Sequence, residues 1–342
     1  MRVHRNAAAG CALLFTLATA GCAGRGGTTD AAPAAPPASS ASSASSASSA
    51  PATAYAPYVS ATTASATDTA GSPTVYNLAF VISSGDGCVP RWNGVQEIDD
   101  ASVAARVEKL KASGATVRVS FGGASGTELA AACDSAPALA AAYGAALDAA
   151  GSVRADFDVE GDELTDADSV ALRSEAIALL QEERGGLQVS FTLPVMPSGL
   201  DTDGLALLAS ANDHGVRVST VNLMTMNYGE SYTADMGDYA LTSAKAAHTQ
   251  LRKVFGTSDA DAWRGMALTS MLGVNDVAGE TFTLEDAAEV RAFAVEKGVA
   301  WVSMWAAFRD RRCADDASAQ DALTDCSGVE QESGAFAEAF AG

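Results

Sequence analysis

The segment Arg154–Gly161 reads RADFDVEG and carries Asp156, Asp158 and Glu160 at i, i+2 and i+4, with Ala155, Phe157 and Val159 between them. On a β-strand that spacing puts the three carboxyl groups on one face and the three apolar side chains on the other. Three like charges so close cannot all stay ionised, so at least one carboxyl is expected to hold a proton near neutral pH. A protonated carboxyl beside an ionised one is what acid-catalysed cleavage of a glycosidic bond needs. Taken alone, the pentapeptide fits equally well a solvated edge strand with an acidic outer face. A calcium site is a poorer fit, because the loop residues and glycine of an EF-hand are absent.

Which reading holds depends on the elements around the acids. Strand-like runs occur at Ala56–Ser60, Val75–Ile82, Thr116–Phe121, Arg154–Glu160, Leu187–Leu193, Val216–Met226, Met266–Met271 and Ala300–Trp305, each mainly apolar or alternating. Between them lie amphipathic segments at Ile98–Ser113, Thr127–Ala150, Thr165–Glu183, Thr202–Asn212, Tyr239–Phe255 and Leu284–Lys297, and Phe336–Phe340 closes the chain. Glycines at 114, 151, 185, 215, 256 and 298 stand where helix C-termini favour a left-handed residue. Strand and helix alternating in this way predict an α/β TIM (β/α)8 barrel. The 14 residues Ala61–Thr74 include the poor helix SATDTAGSP, so the first helix is expected to be shortened or missing. An open doubly wound sheet is the alternative, but no GxGxxG turn follows the first strand. In the barrel the acidic face would point inward, toward the C-terminal mouth where such folds keep their sites.

Composition removes other classes. Forty-two acidic against 21 basic side chains give a formal net charge of -21, with no basic run beyond the first five residues, which excludes nucleic acid as a partner. Three histidines, His4, His214 and His248, leave little for a zinc site or a Ser-His-Asp hydrolase, and no metal or cofactor is expected. His214 and His248 are read as structural. Residues 1–21 have the charged start and short apolar stretch of a signal peptide. The segment TAGC ending at Cys22 resembles a bacterial lipobox, with Thr19 where Leu is usual, so Cys22 is expected to carry a lipid as the only membrane contact; plain secretion is the alternative. Residues 22–54, rich in Ala, Ser and Pro, read as a disordered tether, and residues 55–342 as the folded domain. Export leaves Cys88, Cys133, Cys313 and Cys326 for two disulfides, with Cys313–Cys326 the local pair and Cys88–Cys133 the remainder. Nothing calls for more than a monomer.

Five segments also resemble the motifs of family 18 glycoside hydrolases, the chitinase family, in order along the chain. DFDVE is similar to the end of the DxxDxDxE signature, and SFGG (Ser120–Gly123) to the SxGG motif of the third strand. VNLMTMNYG (Val221–Gly229), MLGVND (Met271–Asp276) and SMWAAFRD (Ser303–Asp310) resemble the sixth-, seventh- and eighth-strand segments. The resemblance covers nearly all of residues 55–342, and it is closest to compact bacterial chitinases. It implies a retaining, substrate-assisted hydrolysis of β-1,4-linked N-acetylglucosamine polymers. Glu160 would be the general acid, Asp158 the residue that orients the substrate's N-acetyl group, and Asp156 the inner acid sharing a proton with Asp158. Trp305 would floor the cleavage subsite. Phe80, Met224, Asn227, Tyr228, Gly122, Gly123 and the loop tryptophan Trp92 would surround the sugar, with Tyr232 a further candidate, while Trp263 and Trp301 are assigned to packing.

The chain departs from the pattern at two places. The first Asp of the signature is Val153, followed by Arg154, and the Tyr-Asp pair of the sixth strand is Met226-Asn227, with a tyrosine one place later at Tyr228. On a strand a shift of one residue changes the face, so Tyr228 reaches the acetyl oxygen only if the chain is already leaving the strand; Asn227 can donate in its place. Two other functions use the same barrel: a non-catalytic chitin-binding lectin, which has no need of a proton donor, and an endo-β-N-acetylglucosaminidase acting on N-glycans.

Overall fold

The computed structural model describes residues 52–85 and 87–342. The signal peptide, Cys22 and the tether as far as residue 51 lie outside the described residues. Eight parallel strands form the central sheet: β1 in two pieces (Ala54–Tyr55 and Tyr58–Ser60), β2 (Val75–Ser83), β3 (Thr116–Gly122), β4 (Arg154–Asp158), β5 (Gln188–Pro194), β6 (Val218–Met224), β7 (Met266–Met271) and β8 (Trp301–Trp305). Each pairs in parallel with the next in sequence from β2 to β8. The first piece of β1 pairs with β8 and the second with β2, so the two ends of the sheet meet across this interrupted strand. This is the TIM barrel that the alternation predicts, with β2 to β8 where the sequence puts them and β1 starting earlier and interrupted.

The chain enters the fold earlier than expected. Thr53 is buried and its hydroxyl donates to the Ala294 carbonyl at 3.2 Å, and the Ala54 N–H donates to Ala300 at 3.0 Å. The tether therefore does not extend to residue 54, because Ala54 belongs to the strand that joins β8. Among the described residues no helix connects β1 to β2, as expected. In its place, Asp68 from this turn-rich segment forms a buried ion pair with Arg106 at 3.0 Å. Arg106 lies on α1 (Ala101–Lys111).

The remaining helices are α2 (Leu129–Ala132), α3 (Ala136–Ala150), α4 (Asp162–Thr165), α5 (Ala167–Glu183), α6 (Thr202–Asp213), α7 (Met236–Phe255), α8 (Asp259–Arg264), α9 (Leu284–Lys297), α10 (Asp321–Thr324) and α11 (Ala335–Ala341). Side chains of Asp100, Asp166, Asp201, Asp235, Ser258 and Thr283 accept N-terminal N–H groups, the last in a reciprocal capping box with Asp286. Left-handed Gly151, Gly256 and Gly298 cap the C-termini of α3, α7 and α9. Gly185 does not play this part, since it does not take the left-handed conformation.

Alternation on β4 sorts its side chains. Phe157 faces outward and packs on Phe121, Phe191 and Tyr143 of α3, with centroids 4.9–5.8 Å away. Asp156 and Asp158 face the interior and are 1% and 5% exposed, which removes the solvated-edge reading. His248 stacks on Trp263 at 3.9 Å, and His214 contacts the Ser210 carbonyl at the end of α6. Trp301 lies under the Arg118 guanidinium at 3.9 Å, so both packing tryptophans are as expected.

The two disulfides form as paired above, spanning 45 residues (Cys88–Cys133) and 13 residues (Cys313–Cys326). The closed-loop entropy predicts that Cys88→Ser/Cys133→Ser loses about 4 kcal/mol of stability and Cys313→Ser/Cys326→Ser about 3 kcal/mol. Urea unfolding of the two double variants checks the order of the losses.

Candidate active site

Asp156 sits at the centre of the barrel and collects hydroxyl donors from three other strands. Ser120 on β3 donates at 2.8 Å, Ser190 and Thr192 on β5 at 2.6 and 2.9 Å, and Tyr58 on β1 at 2.9 Å. Burial, followed by the field of Asp156, pushes the Tyr58 phenol well above its ordinary range, so it remains a donor. Asp156 is thus engaged by hydroxyls, and the partner of Asp158 is Glu160.

Two residues further along the strand toward the mouth, Asp158 shares a hydrogen bond with Glu160. Burial raises the Asp158 carboxyl well above the usual range, and the charges of Glu160 and Asp156 add to this. Burial also pushes Glu160 up to about 7, with the nearby Asp276 carboxylate contributing. Both shifts favour the proton that the sequence leads one to expect between the close carboxyls. The Asp158 Oδ1 atom is buried and has no hydrogen-bond partner among the described residues.

These two acids open into a cavity lined by Tyr58, Phe80, Ala124, Thr192, Met224, Met226, Asn227, Thr269, Asp276 and Trp305. Trp305, at the C-terminal end of β8, stacks on Phe80 with centroids 5.5 Å apart and 26° between planes. Asn227 takes a left-handed conformation (φ 55°) and its Nδ2 donates to Asp276 at 3.1 Å.

Gly122 and Gly123 back the pair rather than line the cavity. Gly122 has φ 94°, and a Cβ there would collide with the Asp158 carbonyl oxygen. The Gly123 N–H donates to that oxygen at 2.9 Å, and a Cβ on Gly123 would meet the Phe80 ring. Behind them, Glu128 on the β3–α2 loop pairs with Arg173 of α5 at 2.6 Å, both buried.

The structure brings Glu160, Asp158, Phe80, Met224, Asn227 and Trp305 to one cavity, with Asp156 beneath it. Besides the two glycines, three expected aromatic sugar contacts are not there. Trp92 is 1% exposed: the hairpin Pro90–Trp92 with Gln96–Glu97 folds back antiparallel on β2, and the indole donates to the Ile98 carbonyl at 3.1 Å. Tyr228 is 4% exposed and packs against Tyr232 and Tyr239 of α7, because the left-handed residue before it turns its side chain out of the barrel. Tyr232 goes with it into that aromatic cluster. Tyr58, Thr192, Thr269 and Asp276 were missed. Ser190 and Thr192 did leave a signal, since they repeat on β5 the i, i+2 spacing of Asp156 and Asp158, their register partners.

A coupled carboxyl pair at the C-terminal mouth of a TIM barrel, beside an aromatic floor, defines a barrel of the glycoside hydrolase class. No protein-family model matches the chain. The chain is 32% identical over 275 residues to a probable bifunctional chitinase/lysozyme of Escherichia coli, covering 75% of this chain and 31% of that protein. It is also 32% identical over 276 residues to endochitinase 11 of Metarhizium anisopliae, covering 75% and 52%. The chain thus spans about a third and about half the length of these two relatives. The catalytic domain of a hyperthermophilic chitinase from Pyrococcus furiosus superposes with TM-score 0.74 at 28% identity, covering 85% of this chain and 94% of that one. The chain belongs to the family 18 glycoside hydrolases.

Two outcomes follow from this geometry. Gly122→Ala should lose more than about 2 kcal/mol in chemical denaturation, because the new methyl must displace the backbone that carries Asp158. The folded-state pKa of Glu160 lies above its unfolded value, so the native state binds the extra proton between the two and loses stability as pH rises toward about 7. Glu160→Gln should therefore stabilise the protein at pH 8 by on the order of 2 kcal/mol relative to its effect at pH 4, which thermal unfolding at the two pH values measures.

Proposed function

We propose that this chain hydrolyses β-1,4-linked N-acetylglucosamine chains, as chitin or chitooligosaccharides, with retention of the anomeric configuration. The observation that carries this reading is the Asp158–Glu160 carboxyl pair, both raised by burial and both lining the cavity that Trp305 floors. A carboxyl at the cavity wall beside a proton-bearing neighbour is placed to accept a donor from the ligand. The N–H of a 2-acetamido group supplies one, which an unsubstituted 2-hydroxyl sugar cannot do with the same reach.

In the mechanism that follows, the sugar lies on Trp305 through its apolar C–H face. Glu160 gives its proton to the glycosidic oxygen as the bond to the anomeric carbon breaks. Asp158 accepts from the acetamido N–H and turns the carbonyl oxygen onto that carbon, so that the electron pair closes an oxazolinium ring. Water, deprotonated by Glu160, then opens the ring from the same face as the departed group. Net retention results without a protein nucleophile, the substrate-assisted variant of glycoside hydrolysis. The hydroxyls around Asp156 hold that carboxylate still beneath Asp158, so Asp158 can change partner between Glu160 and the substrate. With few aromatic platforms, soluble or amorphous chitin is the substrate proposed, acted on by a monomer held outside the cytoplasm through Cys22.

The full chain should release chromophore from diacetylchitobioside and triacetylchitotrioside, with the β-anomer as first product by proton NMR. Glu160→Gln should lower kcat/KM by about 10³-fold or more. In the wild type kcat/KM should fall as pH rises through about 7, because the acid form of Glu160 is lost there. Oligosaccharide binding without turnover in the wild type would overturn the reading in favour of a lectin. Turnover on N-glycans alone would move it to the N-glycan class.

A further inference from the structure

The eighth-strand segment SMWAAFRD contributes Trp305 to the cavity, but its charged end has no part in the reaction above. Arg309 follows in a short 3-10 turn, Ala307–Arg309, and is completely buried. Its guanidinium is bound to three carbonyl oxygens from three separate stretches of chain. Nη1 donates to Trp305 at 3.1 Å, and Nη2 donates to Val274 at 2.8 Å and to Ala322 at 2.7 Å. Among the described residues no carboxylate lies within 4.0 Å of it, and its Nε has no partner.

Each of the three stretches bears on the site. The Trp305 carbonyl belongs to the residue whose indole lines the cavity, and it also accepts the Leu272 N–H at 3.2 Å. Val274 stands two residues before Asp276, the carboxylate at the cavity that bonds Asn227 and faces Glu160. Ala322 lies in the loop closed by the Cys313–Cys326 disulfide. That loop sits against the seventh-strand segment, with the Val274 N–H donating to Ser327 at 2.7 Å. Burial pulls the guanidinium down only to about 10, so it is charged at neutral pH. A buried cation is costly unless its geometry is exact in every bond, and removing its donors takes a hydrogen bond from each of three buried carbonyls, of which Trp305 keeps the Leu272 N–H.

We propose that Arg309 is a positioning residue of the sugar site: by holding the Trp305, Val274 and Ala322 carbonyls together it fixes the aromatic floor relative to the Asn227–Asp276 edge of the cavity. Arg309 touches no substrate and acts through Trp305 and Asp276. A single planar fork serves these three acceptors, whereas a lysine ammonium cannot reach all of them at once. The inference rests on the chitinolytic reading for its kinetic consequence, but the placement of the two loops is a property of the fold itself.

The test compares the full-length wild type with Arg309→Met and Arg309→Lys, using triacetylchitotrioside turnover, chitotriose titration by tryptophan fluorescence, and amide hydrogen exchange. Arg309→Met should raise KM and the chitotriose Kd by about tenfold, and Arg309→Lys by about threefold, with kcat changed less. Exchange should quicken in peptides 266–276 and 301–310 while α3 and α5 keep wild-type protection. A role in global stability alone would lower apparent kcat with the folded fraction, leave KM unchanged and speed exchange everywhere, and that result overturns the proposal. Wild-type KM, Kd and local exchange in Arg309→Lys overturn it too, even if Arg309→Met does not fold. A wild type that turns over no chitooligosaccharide defeats the functional reading instead, and local exchange in the variants then decides the positioning role by itself.

Discussion

The structure turns on one buried carboxylate. Asp156 lies in the middle of the barrel and is tolerable there because Ser120, Ser190, Thr192 and Tyr58 direct four hydroxyls at it. Those donors come from β1, β3 and β5, so the interaction also sets register. A one-residue slip of either neighbour of β4 would carry its hydroxyls to the outer face and leave the charge without partners. Asp158 is free to meet Glu160 because the lower acid is already satisfied.

Packing outside the ring shields that centre. The outward-facing Phe157, with Phe121, Phe191 and Tyr143, seals the helix side of β4. The Glu128–Arg173 pair closes the space behind Gly122. Exclusion of water is in turn what raises both upper carboxyls, because desolvation penalises their charged forms more than any neighbouring charge does. The raised carboxyls at the cavity are thus a consequence of packing. On the opposite side of the mouth, Arg309 gathers the loops after β7 and β8 into one unit with the disulfide loop.

The residues that sequence reading misplaced share a physical cause. Trp92 and Tyr228 were expected at the sugar because they follow strands, but one is folded back under a hairpin and the other is turned outward by a left-handed residue. Neither a reversal of the chain nor the sign of a single φ is written in local alternation. Tyr58 is the converse case: its strand was recognised, but nothing local to it reveals that its hydroxyl meets Asp156, 98 residues away. Arg309 likewise reads as an ordinary charged residue until its three carbonyl partners are known.

The sequence by itself determined the elements and their faces. Period-two alternation put Asp156, Asp158 and Glu160 on one side of a strand, periodic apolar residues ended by glycine marked the helices, and strand–helix alternation implied the barrel. These are local properties, governed by backbone geometry and by which side chains water excludes. Only the tertiary structure decided that Asp156 is held by hydroxyls while Asp158 turns to Glu160, that Glu160 is pushed up to about 7, and that Asn227, Asp276 and Trp305 share one cavity. Those outcomes depend on distances between groups far apart in the chain and on the dielectric that their packing creates, and no local pattern encodes either.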